Sequence, residues 1–294
     1  MSTNYFHLAG IIPVAGQMLD FQLDWADCLM PLAPNYTAIE RSVMECAYAG
    51  CETIWIVAND DMAPLLRHRV GEFVQDPSFF GKQPGRNSSL SQRRIPIFYV
   101  PLAVKDYGKR DCLAWSVIHG SLSAFRISSN LSKWVTPERY YVSFPFGVYS
   151  PEVVRPHRKT ISSQKHFALS FEDKTVADGL YLGFTFGKDE FLEFRREIRK
   201  GTGLYSGENL KDGKYPTLKL PTEERYSARF FDLAKVFKHV ILEETEQVPW
   251  YYAIDNWEGY CNFLGSPDRH KVERPPNYIL NYREWNLLGV DEHE

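Results

Sequence analysis

The sequence predicts an α/β fold with a mostly parallel central sheet, flanked by helices and carrying irregular loop excursions. Short apolar segments rich in β-branched and aromatic residues alternate with amphipathic segments of helical period. The clearest stretch is residues 29–61, in which a helix, a glycine turn and a buried strand follow one another. A helix and strand joined in this way make half of a βαβ unit, whose strands lie parallel with right-handed crossovers.

Local signals set the limits of this first helix and strand. Thr37 and Glu40 have the spacing of a capping box, in which hydroxyl and carboxylate satisfy free backbone amides at the helix start. Gly50 stands where a left-handed C-terminal cap is expected. Residues 53–58 (TIWIVA) are short and almost wholly apolar, which is typical of a strand covered on both faces.

The same alternation continues along the chain. Further strands are predicted over residues 6–12, 96–101, 139–144, 179–187 and 248–254. Asp61 and Asp111 are placed to cap the helices that follow the second and third strands. We expect one α/β domain over residues 1–265 and an extended tail, residues 266–294, that packs on it.

Composition limits the classes of partner. The chain has 294 residues, a formal charge of -3 and a pI near 6.3, which argues against a general nucleic-acid binder. The basic segment 155–166 leaves phosphate contact open, although such charge runs are usually solvated faces. No apolar run approaches the roughly 18 residues that a membrane span needs, and the N-terminus does not have the pattern of a signal peptide.

The five cysteines, odd in number, form no CxxC pair. This pattern predicts neither a disulfide framework nor a zinc site. It favours a reducing, cytoplasmic location.

Glycine and polar residues follow several predicted strands, and the carboxyl ends of parallel strands meet at one end of a sheet. Gly10 and Gly16 would let backbone amides approach a ligand, and Gln17 could read a base or sugar. An ordinary surface loop is as consistent with this spacing.

Two further strand ends carry acidic residues. Asn59 and Asp60 follow strand 53–58, and Asp255 follows the late strand. Carboxylates from two strand ends suit a metal ion that binds together with a phosphate-bearing ligand. Asp60 and Asp255 are therefore candidate metal ligands.

A cationic turn precedes the helix that Asp111 is expected to cap. Lys105, Lys109 and Arg110 surround Gly108 there. Cations and a glycine at a helix N-terminus favour anion binding. A solvated basic loop is the alternative interpretation.

The order of these motifs resembles the sugar-1-phosphate nucleotidyltransferases, whose GT-A-like α/β fold is shared by many glycosyltransferases. The resemblance covers roughly residues 5–265 and is carried by LAG at 8–10, LMPL at 29–32, AGC at 49–51, IWIVANDD at 54–61 and YYAIDNWEGY at 251–260. The chain also resembles a group of tailed-phage proteins given the same label, which implies the host cytoplasm as its location if the chain is phage-encoded. In the family, a glycine-rich loop holds the nucleotide and acidic residues after later strands hold magnesium.

The resemblance implies a nucleotide site and a divalent metal, Mg²⁺ or Mn²⁺. The nucleotide-binding candidates are Gly10, Gly16, Gln17, Asp27, Asn59, Asp60 and Asp111. The metal candidates are Asp60 and Asp255, and the catalytic candidates are Lys109, Arg110 and Asp255.

The chain departs from the family pattern at three places. The family loop GGxGTRLxP is replaced by GIIPVAGQMLDFQLDW, and Ala26 and Asp27 stand where a Pro-Lys pair is expected. The magnesium-binding Asp after the fourth strand falls near Phe146, where no acid is present. In the late motif Asp255 remains, but Ala253 replaces its acidic partner.

These observations predict a transferase that handles a nucleotide or nucleotide sugar and moves a nucleotidyl group onto a sugar phosphate or similar acceptor. One alternative is a GT-A-type glycosyltransferase, including one that acts in phage DNA modification. The other is a binding or structural module that kept the fold and lost the chemistry. The missing acid near Phe146 and the 15% aromatic content favour the module.

Overall fold

The computed structural model describes residues 6–16, 26–79, 93–106, 112–132, 135–202, 233–276 and 279–280. The strands are β1 (Leu8–Pro13), β2 (Pro31–Ala33), β3 (Tyr36–Thr37), β4 (Thr53–Ala58), β5 (Phe73–Gln75), β6 (Arg94–Pro101), β7 (Arg139–Val142), β8 (Gly147–Val148), β9 (Phe167–Ser170), β10 (Phe184–Phe186), β11 (Glu244–Gln247) and β12 (Tyr252–Ala253). The helices are α1 (Ala38–Ala49), α2 (Ala63–Val70), α3 (Leu113–Leu131), α4 (Arg158–Ile161), α5 (Lys188–Thr202), α6 (Leu233–Phe237) and α7 (Trp257–Gly265).

Eight strands form the central sheet in the order β11-β9-β10-β7-β1-β4-β6-β5. Its middle strands β7, β1, β4 and β6 are parallel, whereas β10 and β5 run antiparallel to their neighbours β7 and β6. Within this core Ile11 lies between Trp55 and Val142. The predicted α/β fold with a mostly parallel sheet is therefore confirmed.

The opening helix and strand form as predicted. The backbone amide of Thr37 donates to Glu40 Oε2 at 2.8 Å, which closes the capping box. Gly50 ends α1 with a φ of 93°, in the left-handed region that favours glycine. β4 covers residues 53–58, as the apolar run predicted.

Two of the predicted strands differ in extent or environment. β6 alternates buried and exposed residues, and Phe98 is 40% exposed, so this strand is covered on one face and not on both. The predicted strand 179–187 shortens to β10, because Gly179, with a φ of 95°, ends a 3-10 turn.

The predicted strand 248–254 is wrong as a strand of the central sheet. The strand in this range is Tyr252–Ala253, and it forms a two-stranded antiparallel ribbon with β8. Its apolar residues pack against the following helix instead, with the rings of Tyr252 and Phe263 5.8 Å apart. β11, which does join the sheet, is charged and was not predicted.

Both predicted helix caps are displaced. Met62 is the N-cap of α2, and Asp61 Oδ1 accepts from the adjacent amide of Met62 at 3.0 Å. Cys112 is the N-cap of α3, where its Sγ accepts from the amide of Trp115 at 3.4 Å. Asp111 lies outside the described residues.

The basic segment 155–166 is a turn followed by the short helix α4, and several of its side chains pair within the molecule. Arg158 Nη1 donates to the buried Asp76 at 2.8 Å, Lys165 pairs with Glu244, and His157 Nε2 lies 3.2 Å from Glu246. These ion pairs give the segment a role in holding α4, β5 and β11 together.

Residues of the predicted tail contact the sheet. A 3-10 turn over Pro267–Lys271 follows α7, and the carbonyl of Ile279 accepts from the amide of Gln75 in β5 at 2.7 Å. Leu280 forms an antiparallel bridge with Val74.

All five cysteines are described, and all are free thiols. Of the helices in the described residues, none combines the length and the apolar composition that a membrane span requires.

Candidate functional site

The chain after β1 is fixed at the carboxyl end of the parallel strands. The amides of Val14 and Ala15 both donate to the carbonyl of Val57 at 2.9 Å. Ser116, in the first turn of α3, donates to the carbonyl of Ala15 at 2.5 Å. Gly16 then turns with a φ of 81°. The N-terminal turn of α3 therefore lies against the backbone of Ala15, next to Gly16.

A cavity of about 80 Å³ opens beside this turn. We call it the sheet-end cavity, and its lining residues are Val14, Gly16, Ala26, Asp27, Cys28, Asn59, Met62 and Phe146. Gly16, Asp27 and Asn59, three of the predicted nucleotide-binding residues, come together here from separate segments.

The polar groups of the cavity are Asn59 and Asp27. The side-chain Oδ1 of Asn59 is buried and has no hydrogen-bond partner among the described residues, although its backbone carbonyl accepts from Met62 and Ala63. Burial raises the pKa of the Asp27 carboxyl above its ordinary value. A buried acceptor without a partner is costly, and a ligand that donates a hydrogen bond would relieve that cost.

Phe146 connects the cavity with Asp255 through the β8–β12 ribbon. Gly147 pairs with Ala253, and the amide of Ile254 donates to the carbonyl of Phe146 at 2.8 Å. Phe146, near which the resemblance predicts that a metal-binding Asp is missing, is a buried phenyl ring that lines the cavity.

The Asp255 carboxylate is oriented by two neutral donors. The Tyr181 hydroxyl donates to Oδ2 at 3.1 Å, and Asn256 Nδ2 donates to Oδ1 at 3.0 Å. Tyr181 also packs edge-on against Phe146, with ring centroids 6.1 Å apart. Sequence reasoning missed Tyr181, because it comes from a distant part of the chain and no local pattern marks it.

The residues between β7 and Phe146 are hydrogen-bonded to buried polar side chains of α1. Glu45 Oε2 accepts from Ser143 at 2.7 Å, and Arg41 donates to the carbonyl of Phe144 at 2.8 Å. The hydroxyls of Tyr141 and Tyr149 donate to Glu45 Oε1 at 2.6 and 2.8 Å. This network fixes the backbone between β7 and the cavity.

Other predicted site residues lie apart from the cavity lining. Gly10 is inside β1, and a side chain there would meet the sulfurs of Cys46 and Cys51. Asp60 is exposed. Gln17, Lys109, Arg110 and Asp111 lie outside the described residues.

The described residues do not form a complete metal site by themselves. No group of three or more His, Cys, Asp or Glu side chains among them is arranged to hold a metal. Magnesium, however, is commonly bound by one or two carboxylates together with substrate phosphates. Asp255, oriented on both oxygens, fits that limited role.

The fold is similar to that of several solved structures, although no protein-family model and no curated protein matches the sequence. A protein from Bacillus anthracis assigned as a glucose-1-phosphate thymidylyltransferase, in complex with sucrose, has a TM-score of 0.54 at 11% identity over 92% of this chain and 98% of its own. A UTP-bound UGPase from Acinetobacter baumannii has a TM-score of 0.51 at 11% identity over 97% and 100%. A UDP-glucose pyrophosphorylase from the same organism has a TM-score of 0.50 at 12% identity over 88% and 92%. The chain therefore shares the α/β fold of sugar-1-phosphate nucleotidyltransferases.

Proposed function

We propose that this protein binds a nucleotide or nucleotide sugar across the carboxyl ends of the parallel strands, with the sheet-end cavity receiving part of its base or sugar, and transfers a nucleotidyl group onto a sugar phosphate. The observation that carries the proposal is the convergence of Gly16, Asp27 and Asn59 on one cavity at the carboxyl ends of β1 and β4. Ligands in open α/β sheets bind at that position. The fold shared with sugar-1-phosphate nucleotidyltransferases supports the same reaction class.

Each cavity residue has a role in this proposal. Asn59 Oδ1 accepts a hydrogen bond from the base or sugar, since it is buried without a described partner. Gly16 allows the backbone to approach the ligand closely. The N-terminal turn of α3, held to the loop through Ser116, favours the negative charge of the phosphates.

Lys109, Arg110 and Asp255 complete the proposed site. The two cations would stabilise charge on the phosphates. Asp255 would hold a Mg²⁺ or Mn²⁺ ion that binds together with the phosphates. The metal would supply charge neutralisation on the phosphate oxygens. In the transfer, an oxygen of the sugar phosphate bonds to the α-phosphorus of the nucleotide, and the bond to pyrophosphate breaks.

Calorimetry and thermal shift test the binding step. UTP, dTTP and UDP-glucose are titrated with and without Mg²⁺, and a ligand at 100 times its dissociation constant should stabilise the fold by about 2.7 kcal/mol. Asn59→Ala should weaken binding, whereas the exposed Asn130→Ala on α3 should not. Asp255→Asn should remove only the Mg²⁺-dependent part. Equal affinity in wild type and Asn59→Ala would place the ligand elsewhere.

A second candidate is a binding module that has lost catalysis. Two features favour it: the buried Phe146 lies near the position where an acid is expected, and Ala253 stands in place of the acidic partner of Asp255. Pyrophosphate release from UTP or dTTP with glucose 1-phosphate separates the two. Nucleotide binding with neither pyrophosphate release nor sugar transfer would support the module. Sugar transfer from UDP-glucose to an added acceptor, without pyrophosphate release, would instead support a GT-A-type glycosyltransferase.

A further inference from the structure

Tyr181 lies between the wall of the sheet-end cavity and the Asp255 carboxylate. It belongs to the segment that joins the 3-10 turn ending at Gly179 to β10. Its ring packs edge-on against Phe144 and Phe146, with centroid distances of 6.0 and 6.1 Å. Its hydroxyl donates to Asp255 Oδ2 at 3.1 Å. One side chain therefore contacts both a residue that lines the cavity and the candidate metal ligand.

The backbone of Tyr181 is fixed as well as its ring. Its amide donates to the Tyr251 hydroxyl at 3.0 Å. Gly147 in β8 packs directly on its carbonyl, since a Cβ on that glycine would overlap the carbonyl oxygen. The next residue, Leu182, is fully buried. Because packing fixes the ring and the backbone together, the hydroxyl is held in one place.

The Asp255 carboxylate receives one donor on each oxygen. Asn256 Nδ2 donates to Oδ1 at 3.0 Å, and the other end of that amide caps α7 by accepting from the amide of Gly259 at 2.8 Å. The Tyr181 hydroxyl donates to Oδ2. An ionised carboxylate has about four acceptor sites, so these two bonds limit its rotation and leave acceptor sites for a cation.

Both donors to Asp255 are neutral groups. A lysine or arginine at either oxygen would compete with a metal ion for the negative charge, whereas a phenol hydroxyl and an amide orient the carboxylate and leave its charge in place. Ala253 occupies the position where an acidic partner of Asp255 is expected. The orientation of the one remaining carboxylate in this motif is therefore the more important for binding a cation.

We infer that Tyr181 is a positioning residue for the divalent metal. Its hydroxyl keeps the Asp255 carboxylate in the orientation that binds Mg²⁺ or Mn²⁺ together with the phosphates of the nucleotide. This inference rests on the proposed function, in which Asp255 holds the ion. Hydrogen-bond partners of metal-binding groups orient them, and loss of such a partner commonly weakens metal binding by about 10- to 100-fold.

Tyr181→Phe tests the inference, because it removes the hydroxyl and keeps the ring that packs against Phe146. Electron paramagnetic resonance measures the binding of Mn²⁺ in the presence of UTP, dTTP or UDP-glucose. The variant should bind Mn²⁺ about tenfold more weakly than the wild type, or weaker still. Calorimetry in EDTA should find the same nucleotide affinity in both proteins, since without a metal the hydroxyl has no part in binding. A purely structural role would lower both affinities.

Two further variants isolate the path through Asp255, with circular dichroism and thermal melting to verify the folding of every protein. Tyr252→Phe is the matched control, since it removes a tyrosine hydroxyl that donates to a different carboxylate, Asp268 Oδ2, at 2.8 Å. It should bind Mn²⁺ like the wild type. In the second variant, Tyr181→Phe is added to Asp255→Asn. The added change should cause no further loss, because Tyr181 acts through the carboxylate that is already removed.

The inference and the proposed function fail in different ways. Mn²⁺-dependent binding that is lost in Asp255→Asn but kept in Tyr181→Phe would overturn the inference and leave the proposed function standing. Equal weakening of nucleotide binding with Mn²⁺ and in EDTA would also overturn the inference, since it would show a structural role for Tyr181. Absence of Mn²⁺-dependent binding in the wild type would overturn both.

Discussion

Arg41 Nη1 and Glu45 Oε2 form an ion pair of 2.8 Å one turn apart on α1, and neither side chain is exposed to solvent. A buried charge without its partner is strongly destabilising. Glu45 also accepts from Tyr141 and Tyr149, so this one carboxylate joins α1 to the strand end beside the sheet-end cavity.

Glu45→Ala should therefore lower the free energy of unfolding by about 3–5 kcal/mol, because Arg41 stays buried without its counter-ion. Urea denaturation monitored by circular dichroism measures the change. Glu72→Ala, which breaks an exposed pair with Arg67, is the control and should have no measurable effect. The double replacement Arg41→Met with Glu45→Leu should lower the free energy of unfolding less than Glu45→Ala alone does. A larger decrease in the double variant would contradict this account.

Gly183→Ala should also destabilise the fold through the same network. A Cβ at this position would overlap Tyr141 Oη and Glu45 Oε1, and the amide of Gly183 donates to the Tyr149 hydroxyl at 3.1 Å. Overpacking of this kind costs about 1–3 kcal/mol. Gly265→Ala in α7 is the matched control, since a Cβ there meets nothing within 4 Å. Equal melting temperatures for the two variants would refute the prediction.

Asp27→Asn should raise stability at neutral pH. Burial raises the folded-state pKa of Asp27 above its ordinary value of 3.8, so the folded chain holds the proton more tightly than the unfolded chain. The resulting stabilisation is present below pH 3.8 and is lost as the pH rises through the folded pKa. Because Asn cannot ionise, the variant should have a higher free energy of unfolding than the wild type at pH 7.5. The difference between the two should be smaller at pH 4. Urea denaturation at both values measures this, with the exposed Asp60→Asn as control.

Thiol titration without reductant should find one reactive cysteine in the folded protein and five after unfolding. Cys261 is exposed, whereas Cys28, Cys46, Cys51 and Cys112 are buried. Burial also raises the pKa of the Cys28 and Cys46 thiols, which lowers their thiolate fraction. Mass spectrometry after alkylation identifies the sites. Fewer than five modified cysteines in the unfolded chain would reveal a disulfide.

Replacement of Lys109 and Arg110 together by Ala should weaken binding of a phosphate-bearing ligand about a hundredfold or more. Each charge-assisted hydrogen bond contributes roughly 1.5–3 kcal/mol. Calorimetry against the best nucleotide ligand measures the loss, and a matched replacement of the exposed Lys159 on α4 serves as control. Unchanged affinity in the double variant would show that the phosphates do not bind at Lys109 and Arg110.

Local signals predicted the elements that local physics controls. The capping box of Thr37 and Glu40, the left-handed Gly50 and the buried strand 53–58 each depend on residues within a few positions of one another, and each is confirmed. Of three predicted residues that line the sheet-end cavity, Gly16 and Asn59 could be named because they follow strands whose ends meet, and Asp27 was implied by the family resemblance.

Long-range packing decided the rest. Residues 248–254 are apolar enough for a central strand, but Tyr252 packs on Phe263 and leaves a short ribbon instead. The basic segment had the charge of a phosphate-binding loop, yet Arg158 pairs with Asp76, which is 82 positions away. Tyr181 reaches Asp255 across 74 positions, and no sequence pattern marks such a contact.

The contact of residues 279 and 280 with β5 has a consequence for association. β5 ends the central sheet on one side, and a terminal strand with free backbone groups is a template on which another chain can add and aggregate. The carbonyl of Ile279 accepts a hydrogen bond from the Gln75 amide, and Leu280 forms a β-bridge with Val74. The protein's own C-terminal segment therefore pairs with this edge strand. The segment thereby protects the fold against edge-to-edge polymerisation on this side of the sheet.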